Sequence, residues 1–82
     1  MKRGDLVRGN PQFAWWGIYT NPGERGYLHE QIAELYSRDF GIVLDVQNPY
    51  TNGGYHPTVL ILTHKGVGWC RMRNLQVISE EG

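Results

Sequence analysis

The chain has 82 residues, with eight basic residues against eight acidic, 40% apolar and 20% charged. That is one domain's worth of chain, too short for a cofactor domain beside a substrate domain, and zero net charge argues against a general polyanion binder. One cysteine, Cys70, excludes an internal disulfide framework and fits a reducing compartment. No run approaches the roughly 18 apolar residues of a membrane span, and Met1–Asp5 is followed by no apolar run of the signal-peptide kind.

In chain order, Asp5 to Arg8 reads as a first strand, ended by Gly9-Asn10-Pro11. Phe13 to Tyr19 is aromatic-rich and reads as a short strand or an ordered loop. Thr20 to Glu24 has two readings, a turn or a helix start with Asn21 as N-cap, Pro22 in the first position and Glu24 completing a capping box. Leu28, Ile32 and Leu35 fall at the spacing of one helical stripe, and Glu34 stands four residues before Arg38, the favourable order for a helical ion pair. This pattern predicts a short helix over Tyr27 to Ser37.

Phe40 to Val46 is the clearest strand, with Ile42, Leu44 and Val46 on one face. Asn48 to His56, centred on Asn52-Gly53-Gly54, reads as a hairpin connection. Thr58 to Thr63 is apolar on both faces, so the sequence predicts cover on both sides, one of them from the Leu28 stripe. His64-Lys65-Gly66 is a tight turn into a strand from Val67 to Arg71. Met72-Arg73-Asn74 reads as a turn of 3₁₀ helix or loop, and Leu75 to Ser79 as the last strand.

Gly4-Asp5-Leu6-Val7-Arg8, Gly41 to Val46, Val59 to Leu62, Val67-Gly68-Trp69 and Leu75 to Ile78 together resemble the five strands of an SH3-like small barrel. The turn at Met72 falls where that fold has its 3₁₀ helix. More narrowly, the chain is similar to small SH3-like proteins encoded by tailed bacteriophages. The resemblance covers the beginning of the chain and everything after Asp39. It implies a mainly β fold: one SH3-like domain over residues 1–82, with an aromatic-rich insertion, residues 9–39, carrying one short helix between the first and second main strands. Thr58 and Met72-Arg73 stand where peptide-reading SH3 domains have a tryptophan and a proline, so recognition of proline-rich peptides is not implied.

No residue pattern supports catalysis. His29, His56, His64 and Cys70 lack the spacing of a zinc site, and His56 and His64 flank one strand, roughly 26 Å apart. Cys70 reads as a core thiol rather than a nucleophile, because a strand interior gives it no helix N-terminus to depress its pKa. Neither a metal nor a cofactor is expected. The aromatic residues point elsewhere. Phe13, Trp15, Trp16 and Tyr19 lie outside the barrel strands, and Tyr50 and Tyr55 flank the hairpin tip; all six are candidate protein-interface residues. The alternative is that Trp15 or Trp16 packs beneath the insertion helix as a satellite core.

The expected function is a non-catalytic protein–protein interaction module, and the resemblance implies a small accessory component of a virion, such as a capsid-decorating or joining protein. Its partner would be a capsid or other virion protein, or a second copy of itself, in the virion or the host cytoplasm. One alternative is a nucleic-acid-binding barrel, in which Lys65, Arg71 and Arg73 converge beside Trp69. Another is a phage-encoded inhibitor of a host protein.

Overall fold

The computed structural model describes residues 1–20, 30–36, 38–47 and 57–79. Seven strands run in chain order: β1 (Leu6–Gly9), β2 (Trp15–Tyr19), β3 (Gln31–Tyr36), β4 (Phe40–Gln47), β5 (Thr58–Thr63), β6 (Gly66–Arg71) and β7 (Leu75–Ser79), with a 3₁₀ turn at Met72–Asn74 before the last. The protein is mainly β, one antiparallel sheet ordered β3-β2-β6-β5-β4-β1-β7, and among the described residues its end strands do not pair to close it.

The predicted helix is overturned where it can be compared. Residues 31–36 form a strand whose partner is β2, with Trp16 opposite Leu35 and Ile18 opposite Ala33. Leu35 is buried and Ala33 packs against the core, while Ile32 stands exposed. Ile32 and Leu35, three residues apart, share a face on a helix but lie on opposite faces of a strand. The pairing surface offered by β2 therefore outweighs local helical spacing. Residues 21–29, the N-cap reading at Asn21 and the hairpin connection from Asn48 to His56 lie outside the described residues.

The core takes a residue from every strand: Val7, Trp16 and Ile18, Leu35, Val43, Val59 and Ile61, Cys70, and Leu75. Alternation makes this possible, since the side chains between them face out. On the outer face Ile42, Leu62 and Val67 sit directly across from one another on β4, β5 and β6, all exposed. The expected helical cover over this face of β5 is thus absent among the described residues. Register shifts between Leu6 and Val7, Ile18 and Tyr19, and Val43 and Asp45 interrupt the ladders, and such bulges increase local bend and twist.

Two close fits position the hairpin of β2 and β3. β2 meets β6 at one pair, Tyr19 opposite Trp69. A Cβ added to Gly68 would lie 2.7 Å from Ile18 Cβ and 3.0 Å from the backbone nitrogen and oxygen of Tyr19, so only glycine permits the crossing at this depth. At the other end of the sheet, residues 2–5 form a turn docked on β4. Gly4 N–H donates to Val43 O at 2.7 Å, Val43 N–H donates to Asp5 O at 2.9 Å, and Gly4 has a φ of 94° that suits glycine. Asp5 holds this turn by accepting from Lys2 N–H at 2.8 Å and Lys2 Nζ at 3.0 Å.

Candidate protein-binding face

The β2–β3 hairpin sorts its aromatic residues by parity. Trp16 faces inward and is 1% exposed, its indole N–H donating to Tyr36 O at 3.0 Å. Trp15, one residue earlier, faces outward and is 46% exposed. Directly opposite it on β3 stands Tyr36, 45% exposed, so the two rings form an exposed cross-strand pair. Tyr36 was not among the residues singled out from sequence; the alternation of Leu35 with its neighbours is the signal that places it.

Beside this pair lies a pocket of about 280 Å³, lined by Phe13, Ala14, Trp15, Trp16, Gly17, Tyr19 and Asn74. Phe13 and Tyr19 are half-buried in it. The bare backbone of Gly17 makes room for the Tyr19 ring, whose nearest atoms lie 3.1–3.2 Å from where a Cβ would stand. Asn74 brings the 3₁₀ turn to the wall, and its carbonyl accepts from Asn10 N–H at 2.8 Å, which ties that wall to the segment after β1. Four of the candidate interface residues, Phe13, Trp15, Trp16 and Tyr19, are therefore gathered at one place, with Trp16 as core beneath the surface rather than part of it. Tyr50 and Tyr55 lie outside the described residues.

The polar groups around the pair are engaged. The Tyr36 hydroxyl donates to Glu34 Oε2 at 3.2 Å, and this bond, with the carboxylate's charge, raises the phenol pKa. Lys65 reaches over from the β5–β6 turn, its Nζ 5.6 Å from the Tyr36 ring centroid and donating to Glu34 O at 2.8 Å.

The basic residues do not converge as a nucleic-acid edge would require. Lys65 precedes β6, whereas Arg71 ends it and Arg73 follows, which puts Lys65 roughly 20 Å from the other two along the strand. Lys2 is paired with Asp5 at 3.0 Å and Arg3 with Asp45 at 3.5 Å, while Arg8 Nε donates to Gln76 Oε1 at 3.4 Å.

Cys70 is fully buried opposite Val59, and burial pushes its thiol up to about 12, against the opposing pull of a bond from Asn74 and the charge of Arg71. A thiol in that setting is neutral at physiological pH and inert as a nucleophile. His64 belongs to the β5–β6 turn, with Nε2 3.9 Å from Asp39 Oδ1, and Gly66 to Cys70 alone spans roughly 13 Å of strand, so the two do not form a pair. Among the described residues no three His, Cys, Asp or Glu side chains stand close enough to hold a metal ion, and no helix is long and apolar enough to cross a membrane. Comparison with known protein families, with curated proteins and with solved structures finds no match to this chain.

Proposed function

We propose that this protein is a non-catalytic protein–protein interaction module that grips its partner on the outer face of the β2–β3 hairpin. In this reading β1, β4, β5, β6 and β7 are the five strands of an SH3-like small barrel, and the hairpin is the insertion in its first long loop. The order β6-β5-β4-β1-β7 and the 3₁₀ turn before the last strand support that assignment.

The observation that carries the functional reading is the Trp15–Tyr36 pair, two large rings left about half exposed beside an aromatic-lined pocket. Tryptophan and tyrosine are the residues that most often anchor interfaces, and a neighbouring pocket offers a seat for a partner side chain. Its setting, on the resemblance to small phage proteins, is that of an accessory component of a virion. The test is Trp15→Ala, which removes the anchor without touching the core. Partner binding should fall at least tenfold while the variant's stability stays within about 1 kcal/mol of the wild type. Retained binding would reject this face as the interface. For the setting, quantitative mass spectrometry of purified particles from the source should find the protein at a fixed copy number, and absence from particles but presence in lysate would reject it.

A further inference from the structure

Among the described residues β3 is an end strand of the sheet. Such a strand turns the N–H and C=O of alternate residues away from its neighbour, a template on which another strand can add. Glu34 and Tyr36, two residues apart, share one phase of this alternation. Three of their four backbone groups are engaged by residues outside the β2 ladder. Tyr36 N–H donates to Asp39 Oδ2 at 2.8 Å, and Tyr36 O accepts from Asp39 N–H at 2.9 Å as well as from the Trp16 indole at 3.0 Å. Asp39 thus presents to Tyr36 the donor and acceptor that a paired strand would supply. The Glu34 carbonyl is taken by Lys65 Nζ at 2.8 Å, a charged donor brought from the β5–β6 turn.

These caps have something to guard against. Ile32 and Tyr36 are exposed on β3, and every copy of the chain carries the same strand, so antiparallel pairing of two β3 edges about a two-fold axis is available to it. We propose that Asp39 and Lys65 close the β3 edge against strand addition by a second copy of this chain, leaving the outer face as the route by which this hairpin makes contact. The second half rests on the functional reading above; the closure of the edge does not.

The test uses the full chain with Asp39→Ala and Lys65→Met together, followed by sedimentation velocity over a concentration series and amide hydrogen exchange at Glu34. The double variant should self-associate at a concentration at least tenfold below any association of the wild type, with the Glu34 amide slowed only in the associated form. Lys65→Met alone changes an exposed side chain and should shift association in the same direction by a smaller factor, which keeps the test decisive if the double variant does not fold. A folded variant that associates no more readily than the wild type overturns the inference. So does a wild-type oligomer in which the Glu34 amide is itself protected. Neither readout depends on a partner, so loss of the functional reading through Trp15→Ala is a separate result.

Discussion

Adjacent tryptophans with opposite fates give the sharpest prediction. Trp16 belongs to the buried core, 1% exposed, and its indole N–H is bonded to Tyr36 O, whereas Trp15 is 46% exposed. Truncating a buried aromatic to alanine costs about 3–5 kcal/mol, through lost transfer energy and the cavity left behind. The lost indole bond adds about 1 kcal/mol, and Tyr36 O keeps its bond from Asp39 N–H. A domain of this size has a total stability of about 4–12 kcal/mol, at roughly 0.05–0.15 kcal/mol per residue. Trp16→Ala therefore removes a large share of the whole, and at about 4–8 °C per kcal/mol it lowers Tm by at least about 12 °C. Trp15→Ala, at the surface, should stay within about 1 kcal/mol of the wild type. Urea unfolding followed by far-ultraviolet circular dichroism measures both without relying on the tryptophan signal. Equal losses for the two variants, or a Trp16→Ala loss below about 1 kcal/mol, would refute the parity assigned to the hairpin.

Gly68→Ala should cost about 1–3 kcal/mol by overpacking, because the new methyl meets Ile18 and the Tyr19 backbone. Amide exchange should quicken first at Tyr19 and Trp69, and an unchanged pattern would show that the hairpin does not depend on that crossing. Asp5 has its pKa lowered mainly by the Lys2 bonds, so its contribution is present above the ordinary carboxylate value of 3.8 and is lost as pH falls through the lower folded value. The stability gap between wild type and Asp5→Asn should accordingly be constant near neutrality and shrink in acid; a gap that persists at the lowest pH would contradict it. Cys70 runs the other way: its folded value, about 12, lies above the ordinary thiol value of 9.0, so the stabilisation holds below pH 9.0 and declines as pH rises toward 12. Cys70→Ala should remove the Cys70 share of the alkaline decline, leaving that of Tyr36, and at pH 8 a thiol reagent should label native Cys70 far more slowly than the unfolded chain.

The strands with local signals were legible. Thr58–Thr63 and Leu75–Ser79 have the bounds read from sequence, and β4 runs one residue past the predicted Val46, because alternation and flanking glycines are local properties. β3 was not legible. Its Leu35 belongs both to a helical stripe through Ile32 and to an alternating pair with Ala33, and only β2, about a dozen residues away in the chain, decides between them. That decision also fixed which aromatics face out. Trp15 and Trp16 look equivalent in sequence, and the register with Tyr36 and Leu35 separates them. Likewise the spread of Lys65, Arg71 and Arg73 follows from their places at the two ends of β6, which proximity in sequence concealed.

Site-specific photo-crosslinking tests the central claim most directly. A photoreactive amino acid is placed at Trp15, at Tyr36, and as a control at Ile42, which is exposed on β4 in a row with Leu62 and Val67 and outside the β2–β3 hairpin. In lysate of the source cells, positions 15 and 36 should crosslink to the same partner protein and position 42 should not. Crosslinks confined to position 42, or none from positions 15 and 36, would contradict the assignment of the hairpin face as the binding surface.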